Sequence, residues 1–179
     1  MILTAQIIGI FAMAAIILSF QFKNKRAVLV FQLIGSALFA VNMYMLGALV
    51  GAILNTVGIV RALVYMQKEK IKIPIAIINL LFLISFVAAY VLVFTVFDKS
   101  PTLFNLVIEF LPIIGMSAVT LGFSKTDSRS IRIFGLINSP CWLIYNCFNF
   151  TIGGILCEII SLISIISAMI RIDSKKQNT

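Results

Sequence analysis

The chain has no histidine, six acidic residues, three cysteines and a single tryptophan. Each shortage excludes a chemistry. Without imidazole the most common general base and metal ligand is missing. Cys141, Cys147 and Cys157 lack the paired spacing of a metal site, so they read as small apolar filler, with Cys157, beside Glu158, the one that would matter in a pocket. No glycine-rich phosphate loop and no serine with an adjacent base is present. The expectation is therefore a protein that is not an enzyme and needs no cofactor and no metal. Charge is scarce as well, at 11% of residues.

What the chain has instead is apolar surface: 61% of its 179 residues are hydrophobic, and the mean hydropathy is +1.14. That composition belongs to an integral membrane protein. A spanning helix needs about 17 to 25 predominantly apolar residues, and seven such runs follow one another at 3–22, 27–46, 48–66, 73–97, 102–123, 131–149 and 151–170. Lys23, Lys25 and Arg26 follow the first run, where a cleaved signal peptide would carry charge before it, so the first run reads as a retained helix. The fold class expected is an all-α membrane protein with seven transmembrane helices.

Lys and Arg in short loops are held on the cytoplasmic side. With the N-terminus outside, the inner segments collect Lys23, Lys25 and Arg26, then Lys68, Lys70 and Lys72, then Lys125, Arg129 and Arg132, and finally Arg171, Lys175 and Lys176. Only Lys99 falls outside, and Arg61 lies within a helix. The net charge of +8 is thus largely a topology signal. It also suits anionic lipid headgroups. The basic residues are scattered over four short segments, which gives nucleic acid no folded module to bind.

The chain also carries an internal repeat. A shift of 129 − 26 = 103 brings Arg26 onto Arg129, Phe31 onto Phe134 and Ser36 onto Ser139. Upstream it pairs Ile10, Met13 and Phe20 with Ile113, Met116 and Phe123, and downstream Gly51 with Gly154. Two three-helix units (1–70 and 101–172) joined by a linker helix (71–100) and followed by a cytoplasmic tail (173–179) describe this register. Three helices are an odd number, so the linker turns the second unit back and makes the repeats parallel, a 3+1+3 plan known among transporters.

This plan, with the stretch SFQFKNKR that retains Gln21 but lacks the neighbouring proline, resembles the SWEET and PQ-loop (MtN3-like) superfamily. The segments FQLIGSALFAVNMYMLGALVGAILNTVGIVR, WLIYN and GGILCE resemble the YgjV-type bacterial inner membrane proteins over almost the whole chain. The resemblance implies a bacterial inner membrane location. It also implies a substrate pocket lined by a tryptophan on the second helix and an asparagine on the third helix of a unit. Pro112 and Pro140 would kink their helices, but their partners Gly9 and Ala37 do not reproduce the family's four-proline hinge set.

Geometry points to the same positions. Trp142 lies eight residues before the turn expected near Phe150, and Glu158 lies eight after it. Helices meeting at a turn hold such residues at one depth, about 12 Å in at 1.5 Å per residue. Phe39 and Asn55 flank Gly47 in the same way. The shift adds Gln6 with Glu109, so one substrate-binding layer is expected to hold Phe39, Asn55, Trp142, Glu158, Gln6 and Glu109. Ionisable groups at that depth are costly and face a bundle interior or a watery cavity. Two carboxylates there would make proton coupling chemically available. Arg61, about six residues below Asn55, is expected to snorkel to the interface or to act as a counter-ion. Tyr44 and Tyr145 read as interface-belt residues. Two functions remain in play: a small-solute transporter, proton-coupled if the carboxylates serve it, and a non-transporting receptor, lipid-binding or assembly protein. The partners expected are membrane lipids and an unknown small solute, with a homo-oligomer left open.

Overall fold

In a computed structural model, each of the seven apolar runs is an α-helix. The structure describes residues 2–46, 49–96, 98–148 and 152–173, and the statements below concern these; the expected turns at Gly47 and Phe150 and the end of the tail, with Lys175 and Lys176, lie outside them. In chain order the helices are α1 (Ile2–Ser19), α2 (Lys25–Met45), α3 (Leu49–Met66), α4 (Ile75–Thr95), α5 (Leu103–Ser124), α6 (Ser128–Phe148) and α7 (Ile152–Ala168), which runs on into a π-helical segment, Met169–Asp173. No strand occurs among the described residues.

Short polar breaks start and stop these helices. The Asn24 side chain accepts from the Arg26 amide to cap α2, and Thr102 accepts from the Asn105 amide to cap α5. Asp127 accepts from the amide (2.7 Å) and hydroxyl (3.1 Å) of Ser130 at the start of α6. These are side-chain acceptors for amide donors that the first turn leaves unpaired. At Asp127, burial pushes the carboxyl up, but the Ser130 hydrogen bonds outweigh it and hold the group below its ordinary value. Pro74 precedes α4, where a missing N–H costs nothing.

Four helical stretches are long and apolar enough to cross a membrane: Lys25–Met45, Ile75–Thr95, Leu103–Ser124 and Gly154–Ile172. The apolar stretches of α1 and α3, Leu3–Ser19 and Gly51–Met66, are shorter. α6 has the length, but Arg129, Arg132, Asn138, Ser139 and Asn146 dilute it. Its polarity is turned inward, since Ser128, Arg132, Ser139 and Asn146 are buried. The outside is correspondingly apolar: Leu80, Leu81, Ile84 and Val87 of α4 are exposed. α4 buries one stripe, Ile78, Phe82, Phe86, Ala89 and Val93, at the three-to-four-residue spacing of a single helix face. That stripe meets Tyr65 and Phe123, with ring centroids of 6.0 Å for Tyr65–Phe82 and 5.8 Å for Tyr65–Phe123.

Consecutive helices pack on one another from α1 to α7, except that α3 meets both α4 and α5 and α1 closes against α7. The tightest pair, α5 and α6, depends on glycine. A Cβ on Gly115 would stand 2.9 Å from Asn138 Oδ1 and 3.2 Å from the Asn138 carbonyl oxygen; one on Gly122 would stand 3.2 Å from Ile131 Cα. Small residues let backbones approach closely where lipid supplies no drive for helices to associate. At one end of the bundle the Lys25 ammonium donates to the carbonyls of Phe123 and Lys125, and Lys68 donates to those of Ser124 and Lys125. Both lysines thereby satisfy the unpaired C-terminal carbonyls of α5. Ser128 Oγ donates to Lys23 O, and Arg132 Nη1 to Phe22 O, so the α1–α2 and α5–α6 connections are stitched together.

Replacing Gly115 with Leu should force α5 from α6 and destabilise the protein by about 1–3 kcal/mol, read as a lower thermal midpoint in detergent. Leu121→Ala, at an exposed position of the same helix, should leave that midpoint nearly unchanged.

Candidate functional site

One cavity of about 90 Å³ lies inside the bundle, between α1, α2 and α3 on one side and α5, α6 and α7 on the other. α2 and α6 supply its long walls by the same spacing. Ser36, Phe39 and Met43 line it from α2, and Ser139, Trp142 and Asn146 from α6. Steps of three and four residues keep each trio on one helix face. Asn55 and Arg61 enter from α3, Cys157, Glu158 and Ser161 from α7, and Met116 and Val119 from α5.

Four of the expected site residues meet here: Phe39, Asn55, Trp142 and Glu158. Trp142 is buried and stands edge-on to Tyr145, with centroids 5.6 Å apart. Asn55 Nδ2 donates to the Gly51 carbonyl at 2.9 Å, one helical turn back, which steadies its amide at the wall. The Glu158 carboxylate hydrogen-bonds the Ser139 hydroxyl, linking α7 to α6.

The other two are elsewhere. Gln6 is exposed on α1; a polar residue close to a helix end can reach the interface without a pocket. Glu109 is buried, at 3% exposure, and ion-paired with Lys99 of the α4–α5 connection. A lysine ten residues upstream, across the chain reversal before α5, reaches this carboxylate. The expected single layer of six residues is therefore four residues plus a separate ion pair. Glu109 is tied to the cavity wall indirectly, since Tyr145 hydrogen-bonds Glu109 and packs on Trp142. Tyr145 is thus partly buried between them, whereas Tyr44 is 71% exposed as a belt residue would be.

Arg61 departs furthest from expectation. It does not snorkel: its residue is 4% exposed. Nη1 donates to the Met116 carbonyl at 3.1 Å and to Thr120 Oγ1 at 3.2 Å, and the guanidinium carbon lies 4.9 Å from the Phe123 ring centroid. A side chain that starts in mid-helix on an inward face has the carbonyl, hydroxyl and π-face of α5 nearer than any lipid headgroup. Its Nε has no hydrogen-bond partner, while Ser161 Oγ, buried in the same cavity, meets the Cys157 thiol one turn back on α7. Ser36, Asn138, Ser139 and Ser161 were not singled out from the sequence. Their signal is the polar spacing on otherwise apolar helices, Ser36–Phe39–Met43 and Ser139–Trp142–Asn146, which marks an inward stripe once the helix face is known. Among the described residues, no cluster of His, Cys, Asp or Glu is placed to hold a metal ion.

A family model described as "Bacterial inner membrane protein", Imp-YgjV, matches residues 3–176. The chain belongs to this family of bacterial inner membrane proteins. No curated protein and no solved structure matches it.

Trp142 is the chain's only tryptophan, so its emission reports on the cavity wall. Burial at 8% exposure predicts blue-shifted fluorescence that iodide quenches poorly in the folded protein. Emission typical of water, with full quenching before denaturation, would show that the cavity wall is not packed this way.

Proposed function

We propose that this bacterial inner membrane protein is a small-solute transporter whose binding site is the cavity between two parallel three-helix units, α1–α3 and α5–α7, joined by α4. The observation that carries this reading is a cavity with polar walls inside a bundle whose exterior is apolar. Buried polar groups cost free energy unless something satisfies them. A receptacle for water or solute explains why Ser36, Asn138, Ser139, Glu158 and Ser161 face one space.

The two-unit plan is supported by the lining itself. Five lining pairs stand at one offset: Ile16 with Val119, Ser36 with Ser139, Phe39 with Trp142, Met43 with Asn146, and Asn55 with Glu158, each 139 − 36 = 103 apart. The packing follows the same correspondence, because α1 against α7 becomes α5 against α3 when the units are exchanged, and both pairs are in contact. An axis along the membrane normal relates units in this way. In this reading the stitched end, with Lys23, Lys25, Lys68 and Arg132, is cytoplasmic and closed, with the N-terminus outside. Alternating access would require those loop-to-loop hydrogen bonds to part.

The function is tested by screening small solutes against the purified protein. A ligand at a hundred times its Kd stabilises the folded state by about 2.7 kcal/mol, a shift of several degrees in thermal midpoint. Trp142→Ala should abolish that shift, whatever it costs the ligand-free midpoint. A protein that no solute stabilises, and that moves no solute in vesicles, would be a non-transporting membrane component. Orientation is read separately: Cys147 is exposed towards the end opposite the lysines, so an impermeant maleimide added outside spheroplasts should label it in a variant lacking Cys141 and Cys157. Labelling only after lysis would reverse the topology.

A further inference from the structure

Resting on the reading of the cavity as a solute site, we infer that its solute is a small monocarboxylate, whose anionic head pairs with Arg61 and whose body lies between Phe39 and Trp142. The starting point is an imbalance of charge. Arg61 is permanently cationic and buried, yet the ion pair among the described residues is Lys99 with Glu109, and no acid stands within 4 Å of Arg61. Its present partners are a carbonyl, a hydroxyl and a ring. All three are neutral, so they solvate the charge without cancelling it.

Glu158 does not serve as that counter-ion. It lines the same cavity but is held by Ser139 across α6. Arg61 Nε meanwhile has no hydrogen-bond partner. A buried cation with no acid beside it is suited to a planar oxyanion. A neutral sugar would supply hydroxyls but leave the charge uncancelled. Size narrows the class further: about 90 Å³ is room for roughly six to nine waters at the 10–15 Å³ that one water needs. An apolar body of a few carbons suits the aromatic faces of Phe39 and Trp142.

The test uses Trp142 fluorescence and thermal stability of the purified full chain, with L-lactate, its neutral isostere lactamide, L-alanine, glucose and inorganic phosphate as probes. L-lactate should shift both readouts; lactamide should shift neither. Arg61→Met should weaken lactate binding by roughly thirtyfold or more. Equal responses to lactamide and lactate, or wild-type lactate affinity in Arg61→Met, would overturn the proposal. The lactamide comparison needs no variant, so a misfolded Arg61→Met leaves it decisive. A response to alanine but not lactate replaces the monocarboxylate by a zwitterion, and a response to glucose but not lactate removes the carboxylate and keeps the solute site. A response to phosphate in place of lactate does the same for this class of anion. Silence from all five probes overturns the proposal, and removes the solute-site reading too if the wider screen is also empty.

Discussion

The arrangement depends on where polar groups can go once lipid is the solvent. Lipid tails are as apolar as the helices they surround, so hydrophobic burial does not hold the helices together. Close packing and polar contacts must do so. The glycines of α5, where a Cβ on Gly115 would meet Asn138 at 2.9 Å, supply the first. The Lys25 and Lys68 contacts to the end of α5 and the Ser128 and Arg132 contacts to the α1–α2 connection supply the second. Both kinds of contact are concentrated around α5 and α6.

The same constraint creates the cavity. α6 carries enough polarity to fail as a simple apolar span, and it is tolerated because that polarity is inside. Ser139 and Asn146 are buried against neighbouring helices, and Trp142 between them in sequence covers the remaining apolar face. Arg61 shows the limit of such compensation. Its guanidinium gains two hydrogen bonds and a ring, enough to hold it in place, while Nε and the net charge stay unanswered. Glu109, by contrast, has a full counter-ion in Lys99. The two buried charges thus differ in kind: one is structural and paired, the other faces a space that can be filled.

Much of the fold was legible in the order of residues. The seven helices begin and end within a few residues of the apolar runs, because Asn24, Thr102 and Pro74 mark the breaks in words the backbone must obey. Phe39, Asn55, Trp142 and Glu158 could be brought together from spacing alone, since antiparallel neighbours hold residues equidistant from a turn at one depth. Gln6 and Glu109 fit the same offset but not the same cavity. Offset and depth fix height along the bundle, and neither fixes which way a helix face points.

The sequence by itself determined the class, the number of helices and the family: length, hydropathy and local capping are properties of short segments, and lipid enforces them one helix at a time. Only the tertiary structure decided that Arg61 stays inside, that Lys99 takes Glu109, and that Tyr145 packs behind Trp142 rather than in the belt. Each of these turns on helix rotation, and for Arg61 on partners of α5 more than fifty residues away. An apolar helix that is hydrophobic on every side, as α4 nearly is, leaves its rotation unrecorded in its own pattern, and the packed bundle supplies that missing angle.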